Sequence, residues 1–537
     1  MSTPQDPPQP IPPAGRQSIL PGIVIGVLVF ALIAGGVIGV VKLRDKDSAT
    51  GASSSGASSS PTQAPTSPGA LPSADPRLAK FYAQKLSWNK CAGNDQCATM
   101  KVPLDYAAPG GRSIDLKLLK VPASGSRVGS LVVNPGGPGA SGIQYAQSGA
   151  AGWPARLLSR FDLVGFDPRG VGSSTPLHCM DTAQTDRLVA SDPDPDTATE
   201  RTTMDNMLRA FGSGCLRKSG QLAKHMSTVE VAKDMDVLRQ LLGESRLTYF
   251  GASYGTLIGA TYANLFPTHV GRMVLDGAID PALSTAQISL AQGHGFEVAL
   301  RAYVQDCVSR GNCLLGGSVD AGTKRIRTFL AEVEKKPLPT NAGRELAVGN
   351  AVLGIWLPLY VKTYWPLLTS ALGQAINNHD GTALLTLADQ YVSRGPSGYR
   401  DNSLESLYAV NCLDHDDSIP TSQVPSHFPQ FLKASPTFGK AFAYSLSTCA
   451  VWPVHSGNAT KAMHAKGAPP IVVVGTTRDP ATPLAWAQGL ARELDSGTLI
   501  TRNGDGHTGY NRGNACVDNA VNGYLIDGTV PKKGLMC

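Results

Sequence analysis

Leu247-Thr248-Tyr249-Phe250-Gly251-Ala252-Ser253-Tyr254-Gly255 is a short apolar run that passes through Gly-x-Ser-x-Gly into a helical pattern, Tyr254 to Phe266, stopped by Pro267. In a nucleophile elbow the two glycines permit a sharp strand-to-helix turn that exposes the serine Oγ. The bare pattern carries little weight in a chain with 58 glycines. The strand before it and the helix after it are what select Ser253 as candidate nucleophile.

Working outward, further short apolar runs read as strands: Ile114–Leu119, Gly129–Val133, Phe161–Phe166, Arg272–Leu275, Pro470–Val474 and Thr498–Thr501. Ser227-Thr228-Val229-Glu230 is a capping-box signal for a helix through Leu242, with Val231, Met235, Leu238 and Leu242 on one face. Strands alternating with helices predict an α/β fold with a mainly parallel sheet covered on both faces. Between Leu275 and Pro470 helical patterns dominate: Phe296–Arg310, Lys324–Lys335, Ala351–Ala371 and Ala383–Tyr391. An insertion of that length is a subdomain, not a loop. The expected division is a first core part over 77–283, a helical cap over 284–465 and a final core part over 466–537.

A serine hydroxyl at neutral pH needs a base, and the base needs an orienting group. His507 lies in Asn503-Gly504-Asp505-Gly506-His507-Thr508-Gly509, just past a strand; His269, His294 and His379 have helical or helix-terminal surroundings. Asp479 follows Ile471-Val472-Val473-Val474, at the carboxyl end of a strand, where open α/β sheets place their sites. Ser253, Asp479 and His507 occur in the Ser…Asp…His chain order of α/β-hydrolases. Upstream, Leu131-Val132-Val133 leads into Asn134-Pro135-Gly136-Gly137-Pro138-Gly139. Pro138 has no N–H, so Gly137 and Tyr254 are the candidate oxyanion donors. No Gly-Lys-Ser/Thr follows this loop, which argues against a phosphate cradle. Phe166-Asp167-Pro168-Arg169-Gly170-Val171-Gly172 is a similar loop and reads as scaffold.

The first 76 residues have a different composition. A polar, proline-rich segment over 1–18 precedes Ile19–Val41, which is 23 residues without a charge, long enough for a membrane-spanning helix and too long for a cleavable signal core. A Ser/Ala/Gly/Pro-rich spacer over 42–76 follows, with small residues over 48–64 that suit proteolytic release. Lys42, Arg44 and Lys46 after the span favour a cytoplasmic C-terminus, but large domains translocate regardless of charge. The cysteines tip the balance outward: Cys91, Cys97, Cys179, Cys215, Cys307, Cys313, Cys412, Cys449, Cys516 and Cys537 all follow the span, and none forms a Cys-x2-Cys zinc pair. Pairing in sequence order would close five loops, although spacing alone does not fix the pairing. The net charge of +6 on 537 residues, without a dense basic block, makes nucleic acid an unsuitable partner.

Taken together, these segments resemble the proline iminopeptidase and tripeptidyl aminopeptidase branch of the α/β-hydrolases, with the exported actinobacterial tripeptidyl aminopeptidases the nearest likeness. The carrying residues are the loops 134–139 and 166–172, Gly251–Gly255, Met273-Val274-Leu275-Asp276-Gly277, Arg478-Asp479-Pro480-Ala481-Thr482-Pro483 and Gly506-His507-Thr508. The resemblance implies cleavage of short peptides from a free N-terminus, without metal or organic cofactor. It also implies acids that bind the substrate ammonium. Asp414, in Ala409-Val410-Asn411-Cys412-Leu413-Asp414, and Asp280 are the candidates, with Cys412 able to fix that segment by pairing with Cys449.

The same triad cleaves esters, so a carboxylesterase or lipase acting on envelope or exogenous esters is the main rival. An ammonium anchor in the pocket favours the peptidase and an apolar channel the esterase. Epoxide hydrolases and dehalogenases place Asp where Ser253 stands, which argues against them, and an intact triad argues against a binding module that has lost catalysis.

Overall fold

The computed structural model describes residues 76–454 and 461–537. The Pro-rich start, the 19–41 span and all of the 42–76 spacer except Pro76 lie outside the described residues. Among those described, no helix is long and apolar enough to cross a membrane.

Among the described residues, ten strands form one sheet: β1 (Asn89–Ala92), β2 (Asp95–Pro103), β3 (Ser113–Val121), β4 (Gly129–Asn134), β5 (Phe161–Phe166), β6 (Leu247–Ala252), β7 (Val270–Asp276), β10 (Ile471–Arg478), β11 (Gly497–Asp505) and β12 (Leu535–Met536). The two-residue strands β8 (Arg394–Gly395) and β9 (Gly398–Tyr399) make a separate hairpin. The order is β1-β2-β3-β5-β4-β6-β7-β10-β11-β12. Antiparallel pairing runs from β1 to β5, and every pair from β5 across to β12 is parallel. This is the α/β-hydrolase arrangement of a mostly parallel sheet with helices.

The central strands could be read because they are buried on both faces, which forces continuous apolar runs. All of β4 is buried, and so are the first six residues of β10. Helix α1 (Thr228–Leu241) and helix α2 (Tyr254–Leu265) cover one face through Met235, Leu238 and Ile258. Phe250, Val274, Val474 and Tyr524 pack together on the other. From β4 the chain passes to β5 on one side and then to β6 on the other. The crevice beyond the carboxyl ends of β4 and β6 is therefore a topological switch point, the place where such sheets bind ligands.

Between β7 and β10 lie helices Thr285–Ser309, Val319–Lys335, Val348–Leu359, Trp365–Asn378 and Thr382–Tyr391, followed by α3 (Ser403–Asp414). They hold a core of their own around Leu300, Ile326, Phe329, Ile355 and Leu368.

Two local expectations are corrected. The single helix expected over 351–371 is two, interrupted after Leu359. Pro358 lacks a donor for the ladder, and Pro366 suits the first turn of the second helix. The Ser227–Glu230 capping box does not form: Glu230 instead accepts from Ser227 Oγ and meets His225, and the Thr228 N–H goes to Asp414. Strands β1 and β2 carried no readable signal, because β1 is fully exposed and β2 mixes polar and apolar residues.

The ten cysteines form five bridges in sequence order: Cys91–Cys97, Cys179–Cys215, Cys307–Cys313, Cys412–Cys449 and Cys516–Cys537.

Candidate active site

Ser253 stands between β6 and α2 with φ 55° and ψ −126°, a backbone region that a residue with a Cβ rarely adopts. The surroundings hold it there. Its N–H donates to the Asp276 carbonyl at 2.9 Å, and its own carbonyl accepts from Thr256 N–H and Oγ1 at 2.8 and 2.6 Å. Both glycines of the motif are needed for close approach: a Cβ on Gly251 would sit 2.3 Å from the Gly255 carbonyl oxygen, and one on Gly255 2.7 Å from that of Asn134.

Asp479 follows β10 and His507 follows β11; these neighbouring parallel strands deliver both side chains to one end of the sheet. Both are buried. His507 Nδ1 is 2.9 Å from each Asp479 oxygen. The carboxylate also accepts from the N–H groups of Ala481, Thr482 and Thr508 at 2.9 Å and from Thr482 Oγ1 at 3.0 Å. An acceptor-only partner places the proton on Nδ1 and leaves Nε2 with its lone pair. The ring is held edge-on to Tyr360, with centroids 5.3 Å apart, and the His507 N–H donates to the Tyr360 carbonyl.

The glycine-rich loop after β4 lies against the elbow. Gly136 has φ 95°, and a Cβ there would be 2.7 Å from Tyr254 N and 2.5 Å from Ala252 O. Asn134 Oδ1 accepts the Gly136 N–H at 2.9 Å, which fixes the turn. Tyr254 is the first residue of α2, so its N–H has no carbonyl four residues back within the helix to bond.

Ser253, His507 and Gly137 line one cavity of about 180 Å³. Its walls include Tyr145, Trp153, Phe250, Tyr360 and Tyr391, with Leu357, Leu404 and Leu407 contributed by the helical insertion. Asp276 also lines it. That carboxylate accepts from Gly509 N and Tyr510 N at 2.7 and 2.9 Å, and burial pushes its carboxyl up to about 6. In the sequence Asp276 stands out only within the Met273–Gly277 segment of the family likeness, although it has the same strand-end position that singled out Asp479. Thr482 was likewise passed over inside the Asp-Pro-Ala-Thr-Pro run.

The two acids expected to anchor a substrate amine, Asp414 and Asp280, are not among the residues that line this cavity. Asp414 is buried at the end of α3, where Oδ1 accepts from Thr228 N at 2.9 Å and Oδ2 from Thr228 Oγ1. Thr228 Oγ1 in turn bonds Tyr254 Oη, and burial pushes the Asp414 carboxyl up to about 7. Asp280 is buried against Gly489 of helix α4 (Leu484–Glu493) and accepts from Ala282 N at 3.0 Å. The loop after β5 acts as scaffold: Arg169 is fully buried, donates to both Asp234 oxygens at 2.8 and 2.7 Å, and reaches the carbonyls of Pro103, Leu104 and His225.

Residues 435–537 match the family described as TAP-like protein. Serine protease Hip1 of Mycobacterium tuberculosis is 38% identical over 489 residues, spanning 86% of this chain and 92% of that one. Carboxylesterase B of the same species is 37% identical over 86% of this chain and 91% of its own length. Tripeptidyl aminopeptidase of Streptomyces coelicolor is 30% identical over 84% and 86%. With that identity sustained along most of its length, the chain belongs to the TAP-like family of α/β-hydrolases and is a serine hydrolase.

Proposed function

We propose that the protein is an outward-facing, membrane-anchored exopeptidase that releases short peptides, such as tripeptides, from free N-termini. The observation that carries the chemistry is the Asp479–His507 pair opening onto the same cavity as the strained Ser253. Ser253 Oγ attacks the scissile carbonyl carbon while His507 Nε2 takes its proton. Asp479 holds the Nδ1–H tautomer and stabilises the imidazolium. The N–H groups of Gly137 and Tyr254 receive the oxyanion. The imidazolium then protonates the leaving amine as the C–N bond breaks. Water next attacks the acyl carbon while His507 Nε2 takes its proton, and the bond from Ser253 Oγ to the acyl carbon breaks as that proton returns to Oγ. Residues 284–465 serve as a cap that limits substrate size.

The peptidase reading is supported by relatives named serine protease and tripeptidyl aminopeptidase. The span over 19–41 anchors the protein, the spacer over 42–76 holds the enzyme away from the lipid, and the five bridges suit an oxidising compartment. A second reading, an esterase, is favoured by the apolar cavity walls and by a relative named carboxylesterase.

The full-length protein, assayed with a free-amine Ala-Pro-Ala chromogenic amide, its N-acetylated twin and a short-chain nitrophenyl ester, separates the two. Turnover of the free-amine amide and not of the acetylated one is expected, with Ser253→Ala slower by about four to six orders of magnitude. Turnover of the ester alone establishes the esterase. A Ser253→Ala rate within tenfold of wild type removes Ser253 from the mechanism.

A further inference from the structure

Arg512 lies five residues beyond His507 and lines the same cavity as Ser253. Its loop is pinned at nearly every residue. Thr508 N–H goes to Asp479, those of Gly509 and Tyr510 to Asp276, and that of Asn511 to Asp518. The nearby acids are thus engaged by backbone amides, and none forms an ion pair with the Arg512 side chain. Among the described residues, the guanidinium has no carboxylate within 4.0 Å, and its one side-chain hydrogen bond runs from Nε to Thr508 Oγ1 at 3.0 Å. Asp276 and Asp479 favour the charge without contacting it, and Arg502, a second cation on β11, opposes it. Burial pulls the Arg512 guanidinium below its ordinary value, although an arginine keeps its charge.

A partly buried cation with no carboxylate in contact is costly, and an anion that arrives with the ligand relieves it. A guanidinium presents a planar fork of donors that matches a carboxylate in two parallel hydrogen bonds. With Nε engaged by Thr508, the terminal nitrogens remain for such a partner. The rest of the cavity wall is largely aromatic and aliphatic, and its one carboxylate, Asp276, is engaged by the N–H groups of Gly509 and Tyr510, so a carboxylate entering the cavity has Arg512 as its cationic partner.

We infer that the cavity takes substrates carrying a carboxylate close to the scissile bond and that Arg512 is the specificity residue that binds it. This rests on the reading of Ser253 as the nucleophile of that cavity. The carboxylate has three possible sources: an acidic side chain before the bond, an acidic side chain after it, or a free C-terminus on the departing residue.

The test uses full-length wild type, Arg512→Gln and Arg512→Lys. Matched peptides Ala-Pro-Glu-Ala and Ala-Pro-Gln-Ala amides, Ala-Pro-Ala-Glu and Ala-Pro-Ala-Gln amides, and Ala-Pro-Ala-Ala as acid and as amide separate the three sources. An ester pair, 3-acetoxybenzoate and 3-acetoxybenzamide, reads the same preference without a peptide bond. Wild type should favour the carboxylate member of at least one pair by about tenfold or more in kcat/KM. Arg512→Gln should bring that ratio to within twofold of one, and Arg512→Lys should keep part of it. Because each ratio is taken within one enzyme, partial loss of folded protein does not move it. Wild-type ratios near one for every pair overturn the inference, as does a preference that survives in Arg512→Gln. Turnover of the ester pair alone ends the peptidase reading while its ratio still judges Arg512. No turnover of any pair removes the Ser253 reading and the inference with it.

Discussion

Thr482 Oγ1 lies 3.0 Å from Asp479 Oδ2 and 3.2 Å from His507 Nδ1, so the threonine closes a three-membered cluster around the acid. With the N–H groups of Ala481, Thr482 and Thr508 it leaves the carboxylate well supplied with donors, and the carboxylate in turn dictates which imidazole nitrogen carries the proton. Asp479→Asn keeps the shape but presents an amide N–H toward Nδ1, which favours the wrong tautomer. The variant should fold with an unchanged melting temperature to within a few degrees and lose roughly 10⁴ in kcat. Near-full activity would assign the acid's role to another carboxylate, Asp276 being the first to test.

Gly136 is where the glycine-rich loop after β4 touches the elbow. A methyl group there meets Ala252 O at 2.5 Å and Tyr254 N at 2.7 Å on a backbone at φ 95°, so the loop must move away. Gly136→Ala should lower kcat by about 10²–10³, comparable to loss of one oxyanion donor, with a smaller effect on KM. Steady-state kinetics on the chromogenic amide checks this. A kcat within threefold of wild type would mean the loop does not supply a donor.

Asp414 predicts a pH-dependent stability. Its carboxyl stands at about 7 in the folded protein against an ordinary value of 3.8. Between these values the unfolded chain has released a proton that the folded chain keeps. The contribution is therefore fully present below about pH 4 and is lost as pH rises toward 7, on the order of 4 kcal/mol in all. Asn imitates the protonated acid and does not titrate. Asp414→Asn should gain in melting temperature relative to wild type between pH 5 and pH 8. An equal offset at both would show that Asp414 is already ionised at the lower pH.

The Cys412–Cys449 bridge closes a loop with a sequence separation of 37 and holds α3, which contributes Ser403, Leu404 and Leu407 to the cavity. Replacing both cysteines by alanine should destabilise the protein by about 3–4 kcal/mol, the loop-closure entropy returned to the unfolded chain. Guanidinium unfolding without reductant measures it. A midpoint shift too small to reach 1 kcal/mol would mean that packing alone secures α3.

How much could be read in advance followed from how local each cause was. Strands such as β4 and β10 were legible because burial on both faces demands an apolar run, whereas exposed β1 and polar-mixed β2 are specified by their neighbours. Ser253, Asp479 and His507 each end a strand within a short motif, so each could be picked out singly. The fate of Asp414 could not, since its partner Thr228 is 186 residues away and the same contact dismantles the expected Ser227 capping box. Arg512 was equally silent, because an arginine in a loop acquires meaning only when the acids around it are seen to be occupied by backbone amides.

The pairing of β10 with β7 joins residues about 200 apart in sequence, Ile471 with Met273. During synthesis the serine and its elbow therefore emerge long before the strands that bring Asp479 and His507. A chain still on the ribosome carries Ser253 without Asp479 and His507 beside it. The three side chains come together only when the last strands dock beside β7, so chain order itself sets when the cluster is complete.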